Sequence, residues 1–258
     1  MKIAMIGVGA MGGATVEGLL QLPALHPQDI IVANPTRAKL EPFEKRGAVA
    51  TTDNRQAASQ ADVVCVCVKP WLVETVLREI RDVVRPKEQL LIVIAAGIRP
   101  EQVGEWLPDT PPLFLVIPNI AIAHLQSMTF IVPVGATPEQ TELVKGLFDE
   151  MGTSLLTDFG HLAAGTTLAS CGIAYAMRYI RAAAEGGVEL GFKADVAKEI
   201  VMQTVEGAVT LLRHSGLHPE QAIDLVTTPG GVTIKGLNEM EHAGFSSAVI
   251  RGLKAGAK

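Results

Sequence analysis

The 258 residues allow one large domain or two modest ones, and 48% hydrophobic against 19% charged residues excludes a disordered chain. A net charge of -5, with 22 basic and 27 acidic residues dispersed along the chain, leaves no basic stripe to neutralise phosphates, so no nucleic acid is expected as partner. The mean hydropathy of +0.30 is high for a soluble monomer and predicts apolar surface hidden against another copy, in a homodimer or higher homo-oligomer.

Short β-type runs at 3–6, 29–33, 48–51, 62–68, 90–94, 113–117, 129–132 and 154–157 alternate with amphipathic stretches. That rhythm predicts an α/β fold over 1–157, a mostly parallel sheet covered by helices. From 158 the period changes to 3.6, most clearly over 162–186, 196–214 and 221–226, and no further strand is evident before residue 258. An all-helical second domain is therefore expected over 158–258, joined directly by a helix. A closed eight-stranded βα barrel is set aside, because its strands would have to continue to the end of the chain. Small residues such as Ala182, Ala183, Ala184 and Gly186 on the later helical faces suit closely approaching helix axes from two subunits.

The first strand runs directly into G-x-G-x-x-G at Gly7, Gly9 and Gly12, and a helix is expected from residue 14. In that context Gly7 permits a tight turn, Gly9 admits a pyrophosphate to the backbone, and Gly12 lets helix and strand pack closely. The loop residues Val8, Ala10 and Met11 join these glycines as candidate cofactor contacts. An acidic residue at the end of the second strand would favour NAD; the chain has Asn34, Pro35, Thr36 and Arg37 there instead. Hydroxyl and guanidinium groups with no carboxylate beside them favour the 2′-phosphate of NADP, with NAD as the second choice.

Several further segments carry a resemblance: Asn54 before a helix, Cys67-Val-Lys-Pro70, Ala95-Ala-Gly97, Pro118-Asn119, Gly172 with Ala174-Tyr175, and Thr228-Pro-Gly-Gly-Val-Thr-Ile-Lys-Gly-Leu237. Over nearly its whole length the chain resembles the pyrroline-5-carboxylate reductase family. The resemblance implies that Asn54, Val68, Lys69, Pro70, Ala95 and Ala96 line the dinucleotide, while Gly230, Gly231 and Thr233 meet a small imino-acid substrate. It implies a Rossmann dinucleotide-binding domain over 1–157 with an all-helical dimerisation and substrate domain over 158–258, and an NADP-preferring oxidoreductase of a C=N bond that makes L-proline, a step in amino-acid biosynthesis, by hydride transfer. The alternatives are a reductase of the same fold acting on another small imine or carbonyl acid, and a dinucleotide-binding regulatory paralogue without turnover.

Residue chemistry gives its own reasons for the loop at 228–233. Thr228 suits an N-cap and Pro229 a first helical position, which would leave the N–H groups of Gly230, Gly231 and Val232 free for a carboxylate. Thr233 is the one candidate catalytic residue, its hydroxyl available to the ring nitrogen. A protonated cyclic imine is already an electrophile, so positioning is expected to supply most of the barrier reduction.

The chain departs from the family's usual runs where substrate and nicotinamide should meet. Ala169, Cys171 and Ile173 stand where serine, serine and proline are usual, and Ile120 where threonine is. Tyr175 and Met177 are expected in the core. The six histidines, His26, His124, His161, His214, His218 and His242, are expected in solvated positions. No metal-ligand cluster is evident. Three cysteines make no disulfide framework, the longest apolar runs are too short to cross a bilayer, and no targeting segment is evident, so a cytoplasmic protein without membrane partners is expected.

Overall fold

The computed structural model describes residues 1–257; Lys258, the end of the expected helical domain, lies outside the described residues. All eight expected strands form: β1 (Ile3–Ile6), β2 (Ile30–Ala33), β3 (Val49–Thr51), β4 (Val63–Val66), β5 (Leu90–Val93), β6 (Leu113–Ile117), β7 (Ser127–Val134) and β8 (Gly152–Leu156). They make one sheet in the order β3-β2-β1-β4-β5-β6-β7-β8. β1 to β6 are parallel, β7 runs antiparallel to β6, and β8 is parallel to β7. The first six strands have the doubly wound order of dinucleotide-binding sheets, with the direction of winding reversing between β1 and β4.

Alternation along the strands sends successive side chains to opposite faces. Ala4, Ile6, Val64, Val66, Leu91 and Val93 face α3 (Asn54–Gln60), α4 (Val73–Ile80) and α5 (Pro100–Trp106). Ile3, Met5, Val63, Cys65, Leu90 and Ile92 face α1 (Ala10–Leu19), the single turn α2 (Glu41–Glu44) and α6 (Pro138–Asp149). α4 illustrates the fit: Val73, Val76, Leu77 and Ile80 recur at i, i+3, i+4 and i+7 and are all buried. Each such side chain contributes on the order of 1.5–3 kcal/mol by leaving water.

The helical pattern does begin at residue 158, where the Asp158 carboxylate caps α7 (Phe159–Gly165) by accepting from the His161 N–H at 3.0 Å. The contacts divide later. α7 and the π turn Thr166–Ser170 belong to the first of two compact units, Met1–Ser170, because Leu162 is buried in the sheet's core and a Cβ on Gly165 would stand 2.8 Å from the Phe130 ring.

The second unit, Cys171–Lys258, holds α8 (Gly172–Glu189), α9 (Ala194–Ser215), α10 (Pro219–Leu225), α11 (Val232–His242) and α12 (Phe245–Gly256). The single periodic stretch expected over 162–186 is interrupted by the π turn, and α12 adds a helix the sequence reading did not mark. Gly187 meets Ala197 where α8 and α9 pack, and the Tyr179 and Phe245 rings meet edge to face at 6.4 Å. No residue of α8, α11 or α12 is buried. Tyr175 and Met177, expected in the core, are 40% and 56% exposed, because α8 is apolar around most of its circumference and the chain itself covers only part of it. No helix of the described residues is long and apolar enough to cross a membrane.

Candidate dinucleotide site

A cleft of about 850 Å³ runs along the carboxyl ends of the parallel strands, where ligands bind in open α/β sheets. The three glycines after β1 build its floor for three different reasons. Gly7 has φ +96°, and a Cβ there would lie 2.3 Å from the Cys67 carbonyl oxygen; its N–H donates to the Ala33 carbonyl at 2.8 Å, tying the loop to β2. A Cβ on Gly12 would lie 1.9 Å from the Gly7 carbonyl oxygen, so only glycine lets α1 settle onto the loop. Gly9 lines the cleft and has ordinary backbone angles, yet a Cβ there would meet nothing within 4 Å. The space above Gly9 is kept clear of protein.

α1 starts at Ala10 rather than at the expected residue 14, with Gly9 as its N-cap, so Gly12 lies inside the first turn. The first intrahelical bond runs from the Gly13 N–H to the Gly9 carbonyl at 2.8 Å. The N–H groups of Ala10, Met11 and Gly12 therefore have no intrahelical acceptor, no side chain caps them, and no carboxylate stands in the first turn. Donors without acceptors, a positive helix end and empty space above Gly9 together fit a diphosphate.

Beyond β2 the cleft is lined by Asn34, Thr36 and Lys39. Asn34 is buried and its amide donates to the Thr36 carbonyl at 3.4 Å, while the Lys39 N–H closes the following turn onto the same carbonyl at 3.1 Å. Arg37 is not among the lining residues. Its guanidinium Nη2 donates to both Glu44 carboxylate oxygens at 2.7 and 2.5 Å, and that bond and charge raise its pKa. Val8 is likewise buried beneath the loop rather than open to the cleft. Asn54, the first residue of α3, donates its amide N–H to Glu79 at 2.8 Å. A carboxylate can only accept, so the Asn54 amide oxygen and the second amide N–H are left for a ligand.

At the other end, Val68, Lys69 and Pro70 after β4 and Ala95 and Ala96 after β5 line the cleft as expected. They are joined there by Ile117, Pro118, Ile120, Thr166 and Ser170. Asn119 holds this wall: its side chain accepts from the Ala121 N–H at 3.0 Å, and its own N–H donates to the Ser127 hydroxyl at 3.1 Å, fixing the turn that presents Ile120 to the cleft. Cys67 also borders the site, but burial pushes its thiol pKa up to about 12. Burial, followed by the Cys67 neighbour, raises that of Cys65 too. Neither is a nucleophile at neutral pH. Among the described residues no group of three or more His, Cys, Asp or Glu side chains could hold a metal ion.

The loop at 228–233 folds differently from the simple cap expected. Gly230 has φ +69° and the Gly231 N–H donates to the Thr228 carbonyl at 2.9 Å, so Thr228 to Gly231 form a β-turn with Pro229 and Gly230 at its centre. Thr228 is thus not the N-cap; Gly231 is, and α11 begins at Val232. Uncapped first-turn donors remain, but they belong to Val232, Thr233 and Ile234 rather than to the glycines. Val232 is 85% exposed.

Sequence reasoning missed Lys39, Glu79, Thr166 and Ser170 in the cleft. Lys39 sits one turn beyond the residues that the end of β2 marks, Glu79 sits in the last turn of α4, far along the chain from any strand end, and the π turn carrying Thr166 and Ser170 has no sequence signature of its own.

Known proteins resemble the whole chain. Pyrroline-5-carboxylate reductase 1 of Dictyostelium discoideum is 37% identical over 263 residues, covering 97% of this chain and 48% of its own length. Pyrroline-5-carboxylate reductase 2 of the same organism is 32% identical over 273 residues, covering 100% of this chain and 91% of its own. The chain belongs to the pyrroline-5-carboxylate reductase family. It thus spans about half of the first relative and nearly all of the second. The crystal structure of 1-pyrroline-5-carboxylate reductase from Streptococcus pyogenes is 31% identical, with a TM-score of 0.87 and coverage of 100% of this chain and 98% of that one. Residues 160–258 match the family described as pyrroline-5-carboxylate reductase dimerisation, and residues 2–97 match NADP oxidoreductase coenzyme F420-dependent. The first unit is thus an NADP-binding domain of Rossmann type and the second carries the reductase family's helical dimerisation segment.

Proposed function

We propose that the chain is an NADPH-dependent reductase that converts 1-pyrroline-5-carboxylate and a proton to L-proline. The observation that carries this reading is likeness to pyrroline-5-carboxylate reductases along the entire chain, combined with a cleft whose glycine floor is open only where a diphosphate would lie. Bound NADPH supplies the hydride that reduces the C=N bond.

The chain's own residues supply the rest. Free N–H groups of Ala10, Met11 and Gly12 hold the diphosphate, and the Asn54 amide oxygen accepts from a ribose hydroxyl. Lys69, Pro70, Ala95 and Ala96 flank the dinucleotide, while Ile117, Pro118 and Ile120 make an apolar wall that keeps water from the reacting carbon. In the second unit the turn at Thr228, Gly230 and Gly231 lets the substrate carboxylate approach the first-turn N–H groups of Val232 and Thr233, and the Thr233 hydroxyl orients the ring nitrogen. The apolar face left open on α8, α9, α11 and α12 is covered by a second copy, giving a cytoplasmic homodimer or larger homo-oligomer with 158–258 as its assembly segment.

The test is NADPH absorbance with purified protein and 1-pyrroline-5-carboxylate, alongside a cyclic imine lacking the carboxylate. Turnover that requires the carboxylate supports the assignment. Preference for the bare imine, which the apolar Ile120 wall would suit, moves it to a different imine reductase. NADPH binding without turnover of either leaves a regulatory dinucleotide binder.

A further inference from the structure

Selection for the 2′-phosphate of NADPH falls to a residue the strand-end pattern does not mark. We propose that Lys39, and not Arg37, is the cation that meets this phosphate; the inference rests on the reading of the cleft as an NADPH site. Arg37 is the obvious candidate by sequence, yet its Nη2 donates to both Glu44 carboxylate oxygens, which sets a compensating negative charge beside it, and it lies outside the cleft lining. To meet a phosphate with that pair intact it would bring the Glu44 carboxylate toward a second anion, which offsets the attraction.

Lys39 has neither handicap. The turn Arg37–Lys39 folds back through the Lys39 N–H to the Thr36 carbonyl, which returns the side chain to the cleft beside Asn34 and Thr36. Among the described residues Lys39 makes no ion pair, so its charge is uncancelled. Glu79, which also lines the cleft, accepts from the Asn54 amide. A flexible ammonium acts on phosphate as a point charge and needs no fixed fork geometry, which suits a site at the rim of a cleft.

The experiment is calorimetric titration of the full-length protein and its Arg37→Ala, Lys39→Ala and Lys39→Glu variants with NADPH, NADH, 2′,5′-ADP and 5′-AMP. The expected result is that Lys39→Ala weakens NADPH and 2′,5′-ADP about tenfold or more while leaving NADH and 5′-AMP near wild type, and that Lys39→Glu weakens the phosphorylated pair further. Arg37→Ala should change the NADPH-to-NADH ratio little. If Arg37→Ala erases the preference and Lys39→Ala does not, the proposal is overturned. A wild-type protein that binds NADPH and NADH equally well overturns it as well, and one that binds neither dinucleotide overturns the cofactor reading beneath it.

Discussion

Gly9 and Gly12 lie three residues apart in one loop, yet an added methyl should fail in opposite ways. At Gly9 the backbone angles, φ -73° and ψ -161°, are open to any L residue and the Cβ meets no protein atom. Alanine is a poorer N-cap than glycine by several tenths to about 1 kcal/mol, and it restricts the unfolded chain by about 0.4–1 kcal/mol, so the two effects nearly offset. Gly9→Ala should therefore hold Tm within about 4 °C of wild type. At Gly12 the Cβ would be 1.9 Å from the Gly7 oxygen, which no rotamer can relieve. A forced backbone shift of this kind costs on the order of 3 kcal/mol, and Tm should fall by roughly 6–12 °C.

The ligand response should reverse that order of severity. NADPH at about 100 times its Kd stabilises the wild type by about 2.7 kcal/mol. A methyl in the diphosphate's space forfeits at least one charge-assisted hydrogen bond of about 1.5–3 kcal/mol, weakening Kd roughly 10- to 100-fold. Calorimetric scans with and without NADPH should show Gly9→Ala folded, with its ligand stabilisation cut to about half of the wild-type value or less. A full NADPH shift in Gly9→Ala, or an apo Tm as low as that of Gly12→Ala, would refute the reasoning.

Replacement of Thr233 by Ala should lower kcat with 1-pyrroline-5-carboxylate while NADPH affinity, read by titration, stays near wild type; an unchanged rate removes its hydroxyl from the mechanism. Burial tends to raise the Asp149 pKa, but hydrogen bonds from Lys145 and from the Ser154 hydroxyl and N–H more than offset this and lower it. Its contribution to stability is thus present above its unfolded pKa and lost as pH falls through the lower folded one, so the Tm gap between wild type and Asp149→Asn should be constant near neutrality and close below about pH 4. A gap that widens in acid would contradict the assignment. Iodoacetamide at neutral pH should alkylate the half-exposed Cys171 before the buried Cys65 and Cys67, as peptide mass mapping would show; early labelling of Cys67 would mean the floor of the cleft opens.

The sheet was legible because its strands are short apolar runs between turn residues, and because Gly7, Gly9 and Gly12 follow the first of them. Period alone does not give strand direction, so nothing in 127–134 announces that β7 runs antiparallel. Its outer residues, Ser127 and Pro133, also hid its length. The start of α11 was misread because Pro229 suits a helix entry and the centre of a turn equally well; the positive φ of Gly230 decides for the turn. Charge and proximity to the end of β2 single out Arg37, but an ion pair with Glu44, seven residues away, is invisible to that reasoning. Tyr175 and Met177 were assigned inward because one chain cannot reveal which apolar helix faces wait for a second.

The central claim is tested most directly by tracing the hydride. Incubation of the protein with 1-pyrroline-5-carboxylate and NADPH deuterated at both C4 positions should yield L-proline carrying one deuterium on the former imine carbon, detected by mass spectrometry. Unlabelled proline, or NADPH retained intact while it protects the protein against heat, would contradict the account.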